Sequence, residues 1–101
     1  TGYDFMEDGA QAYALALSQE GIAADASLVG DGWSLDDLKR KLYGGGYQLL
    51  SLNQHANAVA MGVPEGTSRL GTADFLAHAP SMDGVLAGGI GCHAGLNLAG
   101  V

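Results

Sequence analysis

The stretch Val85-Leu-Ala-Gly-Gly-Ile-Gly-Cys-His-Ala-Gly-Leu-Asn97 carries the strongest signal in the chain. Its apolar first half predicts a buried strand over residues 85–90, and small residues then lead to Cys92, the single cysteine of the sequence. Open α/β sheets present reactive groups in this way, at the carboxyl ends of parallel strands. A thiolate at such a position is a candidate nucleophile, although the same pattern also fits a buried structural cysteine.

A second apolar run, residues 47–52, predicts another strand and leads through Asn53 and Gln54 to His55. The carboxyl ends of neighbouring parallel strands share one edge of a sheet, so this arrangement predicts a Cys/His dyad of Cys92 and His55. A nearby imidazole lowers the pKa of a thiol and accepts its proton. Asn53 or Gln54 is then a candidate to orient the ring, and an ordinary loop histidine is the alternative interpretation of His55.

The remaining histidines and glycines predict no metal or cofactor site. His93 follows Cys92 directly, and neighbouring side chains in extended structure point in opposite directions, so His93 is a poorer base than His55. His78 lies on a short predicted helix and is interpreted as a surface or packing residue. Three scattered histidines and one cysteine lack a zinc-ligand spacing, and Gly44-Gly45-Gly46 lacks the Lys-Ser/Thr of a phosphate-binding loop.

Helix caps and apolar spacing predict an α/β domain with a mostly parallel sheet in three α/β/α layers. Asp4, with Glu7 three residues later, predicts the start of a helix over residues 5–19, and Ser34 predicts the start of a second helix that ends at residues 44–46. Thr72 is interpreted as the cap of a short helix that runs through His78. Shorter strands are expected over residues 26–29 and 58–63.

Composition limits the chain to one small domain and disfavours two classes of partner. The 101 residues are 48% hydrophobic, which is enough for a core, and a single cysteine excludes an internal disulfide. The net charge of −7 comes from 4 basic and 11 acidic residues, and it disfavours binding to nucleic acid or to an anionic membrane surface. No apolar run predicts a membrane-spanning helix, and no signal peptide is visible.

Several segments resemble one family. Gly-Cys-His-Ala-Gly-Leu-Asn at residues 91–97 is similar to the nucleophile segment of gingipain-like cysteine peptidases, which have the caspase-like (caspase–haemoglobinase) fold. Leu-Leu-Ser-Leu-Asn-Gln-His at residues 49–55 is similar to the histidine strand of that family. Residues 1–5, residues 8–9 and residues 33–38 are similar to its helix-entry segments, so the resemblance covers most of the chain in the expected order.

The resemblance implies a cysteine endopeptidase that hydrolyses protein or peptide substrates through a thioester acyl-enzyme. His55 would be the general base, Cys92 the nucleophile, and the backbone N–H groups of Cys92 and Ala56 would bind the oxyanion. It implies no cofactor and no metal, and a secreted or cell-surface location. Ala56 departs from the family, because caspase-like enzymes usually have glycine after the histidine.

The family also has a strand before the position of Thr1 and further strands after that of Val101. Residues 1–101 are therefore expected to be the core of a longer catalytic domain. An open sheet edge predicts a homo-oligomer or a complementary chain that completes the sheet. The alternatives are a catalytically inactive caspase-like module that acts in protein binding or assembly, and an unrelated small α/β acyl-transfer or ligand-binding domain.

Overall fold

The computed structural model describes residues 1–57 and 59–90, and these form an α/β domain with three α-helices and four strands. In chain order the elements are α1 (Glu7–Gln19), α2 (Leu35–Gly44), β1 (Leu49–Asn53), β2 (Ala60–Gly62), β3 (Arg69–Gly71), α3 (Thr72–Ala77) and β4 (Leu86–Ile90). Two short 3-10 turns, Asp4–Met6 and Ala79–Met82, precede α1 and follow α3.

β1 and β4 form a parallel pair, in a register that runs from Leu49 opposite Leu86 to Asn53 opposite Ile90. The two long predicted strands and their parallel pairing are therefore confirmed. The other two strands, β2 and β3, form an antiparallel pair. The described strands thus form one parallel pair and one antiparallel pair, whereas the sequence pattern predicted a single, mostly parallel sheet. The antiparallel pair arises because Pro64 and Gly66 turn the chain back on itself.

The strand predicted over residues 26–29 is wrong. Only Val29 makes a β-bridge, to Gly2, and the residues before it form a turn. The carboxylate of Asp25 accepts the Ser27 N–H at 2.9 Å, and the Ala26 carbonyl accepts the Val29 N–H at 3.2 Å. These local bonds satisfy backbone groups that a longer strand would have used.

One of the three predicted helix N-caps, that of α2, is confirmed. Ser34 and Asp37 form the predicted capping box of α2. Asp4 does not cap α1, which begins at Glu7 after a 3-10 turn. Thr72 is the first residue of α3 rather than its cap, because its hydroxyl donates to the Val59 carbonyl at 2.9 Å.

The hydrophobic core lies between α2, the two strand pairs and the segments around residues 3 and 28. It consists of the buried residues Tyr3, Leu28, Trp33, Leu38, Leu42, Leu52, Val63 and Leu70. α1 contributes less, since Ala10 is its one buried residue and Leu15 is 60% exposed. Within residues 1–57 and 59–90, no helix has the length and apolar character needed to cross a membrane.

Candidate functional site

The backbone of His55 is held at the carboxyl end of β1, two residues beyond Asn53. Its carbonyl accepts the Gly62 N–H at 2.7 Å, and its own N–H donates to the Tyr3 hydroxyl at 3.3 Å. Burial raises the pKa of Tyr3 above its ordinary value, so this hydroxyl stays neutral over the physiological range. The imidazole itself is 45% exposed, and solvent or a ligand can reach it.

Three consecutive residues surround the His55 ring. Its Nε2 atom lies 3.1 Å from Oδ2 of Asp4, and the rings of Tyr3 and Phe5 meet it edge-on, with centroids 5.3 and 5.5 Å away. A carboxylate can only accept a hydrogen bond, so in the neutral ring Nε2 carries the proton and donates it to Asp4. Nδ1 then keeps its lone pair, which makes it the atom able to accept a proton from another group.

Asp4 has an unusual backbone conformation, with φ of +57° in the left-handed region. That region costs most residues about 1–2 kcal/mol, although aspartate and asparagine tolerate it better than other non-glycine residues. The Asp4 N–H donates to Oδ1 of Asp31 at 3.2 Å. In this conformation the carboxylate of Asp4 contacts the His55 ring.

Neither of the residues predicted to orient the imidazole does so. The amide nitrogen of Asn53 donates to the Thr1 carbonyl at 2.8 Å, and that of Gln54 donates to the Gly62 carbonyl at 2.8 Å. Both side chains are buried, and these hydrogen bonds connect the end of β1 to neighbouring backbone groups. The carboxylate that contacts the ring is that of Asp4, which the sequence pattern had indicated as a helix cap.

A cavity of about 520 Å³ opens beside His55 and is lined in part by Tyr3, Asp31, Ala56 and Arg69. Ala56 forms an antiparallel bridge with Met61, in which the flanking residues make the hydrogen bonds. The N–H of Ala56 therefore points away from the hairpin, and it donates to no other group in the described part of the chain. This is the backbone group predicted to bind an oxyanion.

Cys92 and His93 lie outside the described residues. The last residue described before them is Ile90, which is paired with Asn53. The third histidine, His78, stacks on Tyr43 with ring centroids 4.1 Å apart, and its Nδ1 lies 2.9 Å from the Asp74 carbonyl. These contacts give His78 a packing role, in agreement with its interpretation from the sequence.

The described residues include no cluster of three or more His, Cys, Asp or Glu side chains that could hold a metal ion. Comparison of the chain with protein-family models, with curated proteins and with solved structures finds no match.

Proposed function

We propose that this chain is a cysteine peptidase domain in which His55, aligned by Asp4, is the general base for the thiol of Cys92. The observation that carries the proposal is the Asp4–His55 pair at the end of a strand that runs parallel to the strand leading to Cys92. A nucleophile, a base and a third group that orients the base are the components of such a site.

The strand register supports the proximity of the two groups. Asn53 is opposite Ile90, and His55 and Cys92 each follow two residues later in the sequence. Adjacent strands are about 4.8 Å apart, and two residues span at most about 7 Å. These lengths permit contact between a thiol two residues after Ile90 and a ring two residues after Asn53, and the proposal requires that contact.

The proposed reaction has two steps. Nδ1 of His55 takes the proton of the Cys92 thiol, and the thiolate sulfur attacks the carbonyl carbon of the scissile peptide bond. The oxyanion is stabilised by the N–H groups of Cys92 and Ala56. The imidazolium then gives its proton to the leaving amine, the C–N bond breaks, and a thioester remains. His55 then takes a proton from a water molecule, whose oxygen attacks the thioester carbonyl carbon. The C–S bond breaks, the carboxylic acid product leaves, and the imidazolium returns its proton to the sulfur of Cys92.

The proposal includes a caspase-like fold of three α/β/α layers. The parallel pair β1–β4, the crossover between these strands and the helices α1 and α2 are compatible with such a fold. On this proposal the substrate is a protein or peptide, and neither nucleic acid nor a membrane is a partner. Within the described residues β4 pairs with β1 alone, and this strand edge also favours a second copy or a complementary chain as a structural partner.

Alkylation of Cys92 by iodoacetamide, measured against pH, tests the proposed dyad. A nearby imidazolium lowers the pKa of a thiol below its ordinary value of about 8.5, at which less than about 1% is ionised at pH 6. The wild type is therefore expected to react at least ~10-fold faster than His55→Ala at pH 6. His78→Ala, which removes a histidine held by packing, is the matched control and should react like the wild type.

Peptide cleavage is the second part of the test. A library of fluorogenic peptides should be cleaved by the wild type, and cleavage should fall by about 10²-fold or more in His55→Ala and be abolished in Cys92→Ala. A slow thiol whose reactivity does not depend on His55 would overturn the peptidase proposal. That result would favour the inactive caspase-like module that acts in binding or assembly.

A further inference from the structure

We propose that Asp31 is a positioning residue of this site, because its carboxylate holds Asp4 in the backbone conformation that directs the Asp4 side chain to His55. The catalytic meaning of this inference rests on the proposed peptidase function. The alignment itself is a property of the three side chains and can be measured without any reaction.

Two backbone hydrogen bonds bring the segment that contains Asp31 beside the segment that contains Asp4. The Gly2 N–H donates to the Leu28 carbonyl at 3.0 Å, and the Gly30 N–H donates to the Gly2 carbonyl at 2.8 Å. Gly30 has φ of +110°, a conformation that other residues rarely adopt. These bonds set residues 29–31 beside residues 2–4, so that Oδ1 of Asp31 meets the N–H of Asp4 at 3.2 Å.

The bond from Asp4 to Asp31 offsets two unfavourable features. Asp4 has φ of +57°, which is disfavoured for a residue with a Cβ atom. Two carboxylates that line one cavity also repel each other. Without the acceptor on Asp31, Asp4 would relax to a commoner conformation, and its carboxylate would move away from Nε2 of His55.

The other polar groups around the imidazole do not replace Asp4. The Tyr3 hydroxyl accepts the backbone N–H of His55 and does not bond its ring. Arg69 lines the same cavity, but a guanidinium cannot accept a proton from Nε2. Loss of Asp31 is therefore expected to break the contact between Asp4 and Nε2 of His55 while the fold persists.

The test compares Asp31→Ala, Asp31→Asn and Asp36→Ala. Asparagine keeps an oxygen acceptor for the Asp4 N–H, and Asp36 is an exposed aspartate of α2 that does not line the cavity. NMR gives two readouts: the intraresidue amide-to-Hα contact of Asp4, which is strong at positive φ, and the through-space contact between the Asp4 Hβ protons and the ring protons of His55. Asp31→Ala should weaken both. Asp31→Asn and Asp36→Ala should behave like the wild type.

If Asp31→Ala does not fold, Asp31→Gly removes the same acceptor and is measured in its place. Unchanged NMR readouts in the folded variant would overturn the inference. Iodoacetamide alkylation of Cys92 in the same variants separates this result from the proposed function. Loss of the Asp4–His55 contact with about 10-fold slower alkylation at pH 6, restored in Asp31→Asn, supports both proposals. Loss of the contact with an unchanged alkylation rate supports the alignment and overturns its catalytic role, whereas equally slow alkylation of the wild type and His55→Ala overturns the peptidase site.

Discussion

Replacement of Gln54 by alanine should cost this domain a large part of its stability. Gln54 is 1% exposed, its amide nitrogen donates to the Gly62 carbonyl at 2.8 Å, and its amide oxygen accepts from the Thr1 hydroxyl at 3.2 Å. Two hydrogen bonds contribute about 1 kcal/mol each, and a part-buried carbonyl left without its donor costs about 1 kcal/mol. We therefore expect a loss of about 2–4 kcal/mol in the free energy of unfolding.

Urea denaturation followed by Trp33 fluorescence measures this loss. Trp33 is the single tryptophan, is 5% exposed and lies edge-on to Tyr3, so its emission reports on the core around Gln54. With a slope of about 1–2 kcal/mol per molar urea, the midpoint should fall by roughly 1–4 M. Gln48→Ala makes the same chemical change at an exposed position and should shift the free energy by less than about 0.5 kcal/mol. If Gln54→Ala proves no less stable than Gln48→Ala, the reasoning from buried hydrogen bonds is refuted.

Three other substitutions test the segments that support the site. Gly2→Ala should destabilise the fold by about 1–3 kcal/mol in thermal unfolding, because its Cβ would lie 2.6 Å from that of Ala10; wild-type stability would contradict this contact. Ser34→Ala should lose about 1 kcal/mol with the capping box of α2, measured by urea denaturation. The pKa of Asp25 is lowered, mainly by its hydrogen bond to Lys41, so Asp25 stabilises the fold above pH ~4 and loses this effect as the pH falls. Asp25→Asn should therefore reduce the difference in stability between pH 7 and pH 3, and an unchanged difference would exclude this role.

Local sequence signals predicted the elements whose determinants lie within a few residues. The capping box of Ser34 and Asp37 is such a determinant, and so is the apolar run that becomes β1. The parallel pairing of β1 with β4 followed from the length and composition of the two runs. The α/β class was predictable for the same reason.

The role of Asp4 was not predictable, because it depends on contacts that are distant in sequence. An aspartate with a glutamate three residues later is typical of a helix start, and nothing local excludes that interpretation. The competing partners are Asp31 and His55, 27 and 51 residues away. The one local signal was the residue type, since aspartate is among the few residues that tolerate a left-handed conformation. β3 was missed because a three-residue strand has too little pattern to be recognised.

The N-terminal segment couples the candidate site to the stability of the fold. Thr1 donates from its amino group to the Ser51 carbonyl at 2.6 Å, and Tyr3 is buried in the core, so residues 1–3 are part of the packing around β1. Asp4 follows directly and reaches the His55 ring. A change that loosens this segment must therefore move the carboxylate as well as weaken the core. For Gly2→Ala, stability and the alignment of His55 should fall together, whereas for Asp31→Ala the alignment should be lost while the core persists. The two variants therefore distinguish the contribution of residues 1–3 to the stability of the fold from the contribution of Asp4 to the orientation of His55.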